Sequence, residues 1–145
     1  MLTFGIDWDD VISPLNDCAI ELANQEYQFD PPLTLEDINS WENTGRASVI
    51  KKYYNDSRLY DMQRVSDEAK AFIRKLQTKG IVYIVTAVYP QFMSKRVEQI
   101  KTAFPDFPDE NIIMGFQKSG AQVGSTLVAG PRNLFKWSVR VPVLL

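Results

Sequence analysis

Histidine is absent from this chain of 145 residues. That omission excludes Ser–His hydrolysis, His-ligated zinc and imidazole acid–base catalysis. Cysteine is almost absent: Cys18 stands alone, so no disulfide framework can form and a reducing cytoplasm is the expected compartment. Its neighbours Ala19 and Ile20 are apolar, which suits a buried structural thiol better than a nucleophile. No apolar stretch approaches the roughly 20 residues of a membrane span, and the first residues lack a signal-peptide layout. A net charge of −2 advertises neither a nucleic-acid polymer nor a membrane as partner. Chemistry in this chain must therefore rest on carboxylates, Lys, Tyr or a bound metal.

Acids are missing from one region only. All eighteen lie at or before Glu110, so residues 1–110, with twelve Lys and Arg, sum to −6. The last 35 residues carry Lys118, Arg132, Lys136 and Arg140 and no acid, a net +4. Elsewhere the composition is ordinary: 45% hydrophobic and 23% charged residues, in a length that suits one globular domain.

Periodicity divides the chain into alternating strands and helices. Leu2, Phe4 and Ile6 read as a short buried strand that stops at Asp7. Leu15, Ala19, Leu22, Ala23 and Tyr27 have helical spacing, broken by Asp30-Pro31-Pro32. Thr34 and Asp37 come close to a capping box, Ser48 to Tyr54 suggests a short helix, and Asn55-Asp56-Ser57 suggests a turn. Ser66 should cap an amphipathic helix that turns Ala69, Phe72, Ile73 and Leu76 inward and closes at Gly80. The β-branched run Ile81–Val85 suits a parallel strand covered on both faces, with Thr86 at its end. A helix over Phe92–Phe104 follows, then short strands at 112–114, 125–128 and 141–145. This order predicts an α/β, three-layer domain around a parallel sheet of about five strands. The mostly helical segment from 14 to 64 would be a small cap inserted after the first strand of a single domain spanning 1–145.

Asp7 and Asp9, in F-G-I-D-W-D-D-V, stand where such a sheet places its ligands, outside the carboxyl ends of the strands. Carboxylates there can bind Mg²⁺, attack phosphorus or exchange a proton. The plainer alternative is that Asp7, Asp9 and Asp10 cap the next helix. Other residues also have two readings. Trp41, Tyr53, Tyr54 and Tyr60 could stack a nucleobase or pack the cap on the main domain, and packing is favoured. Arg58, Arg64, Lys95 and Arg96 could touch phosphate or be dispersed surface charges, and the surface reading is favoured. Trp137 reads as packing against the sheet.

Three motifs in order, D-W-D-D-V (7–11), I-V-T-A (84–87) and N-I-I-M-G-F-Q-K (111–118), resemble those of the haloacid dehalogenase-like hydrolases. The closest likeness is to their 5′(3′)-deoxyribonucleotidase and bacterial or phage 5′-nucleotidase branch. It covers nearly the whole chain, including L-T-L-E-D-I-N-S-W (33–41) in the segment read as the cap. The resemblance implies a Mg²⁺-dependent phosphomonoesterase of the cytoplasm, acting on a small phosphorylated substrate such as a (deoxy)nucleoside monophosphate. Asp7 would be the nucleophile that forms an aspartyl-phosphate, and Asp9 would protonate the leaving oxygen and then activate water. The Thr86 hydroxyl and backbone N–H groups such as that of Ala87 would hold phosphate oxygens, helped by the following helix's N-terminus. Lys118 would offset the repulsion between Asp7 and the anionic phosphate. As a lone Lys it could otherwise be a solvated surface residue, and Thr86 an ordinary strand-end Thr.

One motif departs. The family completes its Mg²⁺ site with an acid pair after the fourth strand, typically D-D-x-P-x-N, and here the matching residues read V-A-G-P-R-N (128–133). Val128 and Ala129 cannot bind a cation. The ligands left would be the Asp7 carboxylate, the Asp9 backbone carbonyl, water and substrate phosphate. Asp10, where the family often has Gly, could substitute or point away. The departure opens a second expectation: a relative that binds a phosphorylated ligand or a protein partner without turnover.

Overall fold

A computed structural model of the chain describes residues 1–38 and 45–115. Strand β1 spans Leu2–Asp7, where alternation buries Phe4 and Ile6 against the core. Leu2, expected to be buried with them, is 55% exposed, because it opens the strand at its amino end. After β1 the chain turns tightly, with Ile12 N and Ser13 N both donating to the Trp8 carbonyl. Two compact units follow from the contacts: Met1–Ser13 with the chain from Val65 onward, and Pro14–Arg64.

The Pro14–Arg64 unit contains helix α1 (Asn16–Tyr27), helix α2 (Ile50–Tyr53) and helix α3 (Ser57–Met62). Helix α1 buries Cys18, Ala19, Leu22 and Ala23, and the Cys18 thiol donates to the Pro14 carbonyl at 3.3 Å. Tyr27, expected inward, is 46% exposed and lies against the Phe29 ring. The Thr34–Asp37 pair forms, with Thr34 N donating to the Asp37 carboxylate at 2.9 Å. Asn55-Asp56-Ser57 is more than a turn: Asp56 accepts from Arg58 N and so caps α3. Trp41 lies outside the described residues.

In the other unit, helix α4 (Asp67–Gln77) begins where Ser66 Oγ accepts from Ala69 N. Ile73 and Leu76 are buried and Phe72 packs against the same core. Gly80 does not close this helix. Lys79 N bonds back to the Leu76 carbonyl, and Gly80 opens strand β2 (Gly80–Ala87). Helix α5 (Met93–Ala103) and strand β3 (Ile112–Gly115) complete the described elements.

The sheet runs β1-β2-β3 with parallel pairing throughout, Leu2 opposite Gly80 and Asp7 opposite Val85, then Thr86 opposite Met114. Three strands are described where about five were expected, and the segments read as a fourth and fifth, with Trp137, lie outside the described residues. Within β2, Val82, Ile84, Val85 and Thr86 are buried as a central parallel strand requires, but Ile81, expected to be covered with them, is 38% exposed near the strand's start and Tyr83 is half-buried. A single core joins Phe4, Ile6, Trp8, Ile73, Ile84 and Ile100. Trp8 meets Phe104 edge to face, ring centroids 6.5 Å apart. This packing fixes the carboxyl ends of β1 and β2 side by side.

Candidate active site

Asp7 is the last residue of β1 and is partly buried, with its Oδ1 atom out of contact with solvent. It alternates with the inward residues Ile6 and Trp8, so the strand's own period keeps it off the core face. Asp9 lies just beyond, bridged to Ser13, with a side chain 14% exposed. Neither is the N-cap of the next helix: that position is Leu15, whose side chain makes no capping bond. Asp10 is exposed and takes φ of 60°, the left-handed region in which Gly is unstrained and Asp is among the better-tolerated alternatives.

Thr86 and Ala87 end β2, paired with Met114 and Gly115 of β3. Thr86 is 2% exposed. The next backbone N–H, that of Val88, is taken by the Gly115 carbonyl at 3.0 Å. Lys118, Val128 and Ala129 lie outside the described residues.

The residue joining these strand ends is Arg96, in the first turn of α5. Read from the sequence as a surface charge, it is fully buried. Its terminal nitrogens donate to both oxygens of Asp9, at 2.9 and 3.2 Å, and one also donates to the Thr86 hydroxyl. Its Nε donates to Gln99 Oε1 at 2.9 Å, and its guanidinium carbon lies 5.8 Å from the centroid of the Trp8 ring. The signal for this was in the helix pattern: Arg96 shares the buried stripe with Ile100 and Ala103, four and seven residues on. A charge on such a stripe needs a partner inside the protein.

The other cations singled out do different work. Arg58 pairs with Glu26 and Asp56, Arg64 donates to the Asp61 and Gln63 carbonyls, and Lys95 stands 3.7 Å from Glu98. Tyr53 and Tyr60 are buried and Tyr54 is half-buried, with their hydroxyls used inside the Pro14–Arg64 unit. Tyr53 donates to Glu26 at 2.6 Å, Tyr54 to Asn16 at 2.7 Å and Tyr60 to the Tyr54 carbonyl at 2.7 Å.

Among the described residues no group of three or more His, Cys, Asp or Glu could hold a metal ion. Asp9's carboxylate is engaged by Arg96, and the Asp7 carboxylate at the end of β1 is an oxygen donor of the kind a hard cation takes. That donor set fits Mg²⁺, which keeps several waters and can use a single carboxylate together with substrate phosphate. No helix among the described residues is long and apolar enough to cross a membrane.

No curated protein matches the chain. A family model does, over residues 1–144: 5′ nucleotidase, deoxy (pyrimidine), cytosolic type C protein. That family is haloacid dehalogenase-like, which accords with the α/β fold and its parallel sheet. With the match running from the first strand to the penultimate residue, the chain belongs to the cytosolic type C 5′-nucleotidase family.

Proposed function

We propose that this chain is a phosphomonoesterase acting on (deoxy)nucleoside monophosphates through an aspartyl-phosphate on Asp7. The observation that carries the reading is the placing of Asp7 and Thr86 at adjacent carboxyl ends of parallel strands, in a chain of this family. An Asp7 oxygen attacks phosphorus in line, and the ester oxygen departs with a proton from Asp9, which enters this step as the carboxylic acid. Asp9 then takes a proton from the water that cleaves the acyl phosphate, releasing inorganic phosphate and restoring the Asp7 carboxylate. Thr86, the Ala87 backbone and Lys118 hold the phosphate oxygens. Asp7 and the Asp9 backbone carbonyl would hold Mg²⁺, which when bound supplies charge neutralisation at the phosphate. Pro14–Arg64, a compact unit of its own, corresponds to the segment read from the sequence as the cap insertion.

Phosphate release from a panel of nucleoside monophosphates, with Mg²⁺, tests the reading. Asp7→Asn should lower kcat by about 10³-fold or more, since the amide is no nucleophile. Absent activity in the native chain, or activity that survives the substitution, sinks it. Val128 and Ala129, in place of the acid pair, favour a second reading: a protein that binds a phosphorylated ligand or a partner without turnover. Saturable binding of nucleoside monophosphate with no phosphate released would decide for it.

A further inference from the structure

We propose that Arg96 is a positioning residue of this phosphate site, fixing the spacing between Asp9 and Thr86. The inference rests on the reading of Asp9 and Thr86 just given and adds a residue that touches neither substrate nor phosphorus. Asp9 lies in the turn after β1 and Thr86 near the end of β2, so backbone pairing alone does not set the distance between their side chains. One guanidinium spans them. Its two terminal nitrogens grip the two Asp9 oxygens at 2.9 and 3.2 Å, a two-pronged contact that fixes the carboxylate plane as well as its position. A terminal nitrogen also donates to Thr86 Oγ1.

That last contact has a direction. Arginine carries donors and no acceptor, so the Thr86 oxygen accepts, and the hydroxyl hydrogen is turned away from Arg96. A hydroxyl held in this way presents its proton as a donor, the polarity a phosphate oxygen requires. Gln99, three residues on in α5, receives the Nε–H at 2.9 Å and sets the tilt of the fork. Arg96 is fully buried and the Asp9 side chain is 14% exposed, which makes the pair less sensitive to salt than a surface pair and expensive to break from one side. A lysine could carry the charge at this place. Its single ammonium has no planar fork to serve both Asp9 oxygens, Thr86 and Gln99 together.

The test compares the native chain with Arg96→Lys, Arg96→Ala and Gln99→Ala, using p-nitrophenyl phosphate with Mg²⁺ for turnover and inorganic phosphate for calorimetric binding. Arg96→Lys should lose about 30-fold or more in kcat, with KM for the ester moving less than about threefold, because the reacting groups are mispositioned while the charge remains. Added methylguanidinium should restore part of the activity of Arg96→Ala. In phosphate binding, Arg96→Lys and Thr86→Val should weaken affinity non-additively, the double variant being no worse than Thr86→Val alone. Full kcat in Arg96→Lys, or additive effects on phosphate affinity, overturns the inference while leaving the phosphatase reading intact. A native chain that neither turns over the ester nor binds phosphate overturns the phosphatase reading, and this inference with it. Should binding persist without turnover, the double-variant comparison still decides for or against Arg96. If the Arg96 variants do not fold, Gln99→Ala decides: reduced kcat at unchanged KM supports the role, and native kinetics remove it.

Discussion

Glu26 shows how much a single side chain can gather. Its carboxylate accepts from the Tyr53 hydroxyl at 2.6 Å, from Arg58 at 2.7 Å and from Lys52 at 3.0 Å. Lys52 in turn stands over the rings of Tyr27 and Tyr53, 4.5 and 4.8 Å from their centroids. The Tyr53 hydrogen bond first, then Arg58 and Lys52, holds Glu26 down from the usual 4.5 to about 2. Burial first, and then the Glu26 contact, pushes the Tyr53 phenol up to about 12 from 10.0. Because the folded-state value of Glu26 is depressed, its contribution is present above pH 4.5 and disappears as pH falls toward about 2. On the alkaline side, the raised Tyr53 value means its contribution is lost between pH 10.0 and about 12. Urea unfolding followed by hydrogen exchange within Pro14–Arg64 should show the native chain more stable than Glu26→Gln at pH 7. The gap should close by pH 2, and raising the salt should narrow it, since Glu26 is one-third exposed. A gap unchanged between pH 7 and pH 2 would contradict this account. None of these contacts is signalled locally, since Glu26 and Arg58 lie 32 residues apart in the chain.

At the scale of the element, local rules carry far. The Ser66 cap, the buried face of α4 and the β-branched run of β2 were all legible, because caps and periodicity depend on neighbours within a turn or two. Gly80 was legible as a break but not as to its purpose. A Cβ there would meet the Leu2 carbonyl oxygen at 2.1 Å and its carbon at 2.7 Å, so the residue is a close-approach point between β1 and β2. Gly80→Ala should therefore destabilise the chain by about 2 kcal/mol or more, since backbone atoms must move apart to admit a methyl group. Chemical denaturation measures this, and a change under about 0.5 kcal/mol, the size usual at unconstrained surface positions, would refute it. Helix α3 escaped the reading because Asp56 signals a turn and an N-cap equally well. In α5 the pattern was visible, but a lone Arg on the inward stripe reads as exposed until its partner is known.

For the molecule as a whole, membership in the nucleotidase family and the departure at Val128-Ala129 pull on the same question. If the missing acids limit metal binding, Val128→Asp with Ala129→Asp should lower the Mg²⁺ concentration for half-maximal turnover by about tenfold, one extra charge–metal contact being worth about 1.4 kcal/mol. Initial rates against Mg²⁺ give the answer, and an unchanged requirement would mean that the site does without those acids. The placing of β1, α1, α4, β2, α5 and β3, with Asp7 at the end of β1 and Thr86 near the end of β2, was determined by sequence alone, since each follows from hydrophobic spacing within a few residues. The tertiary structure alone decided that Arg96 is interior and that it binds an Asp 87 residues away. A buried charge is tolerable only beside its counter-charge, and that proximity exists only once β1, β2 and α5 have packed.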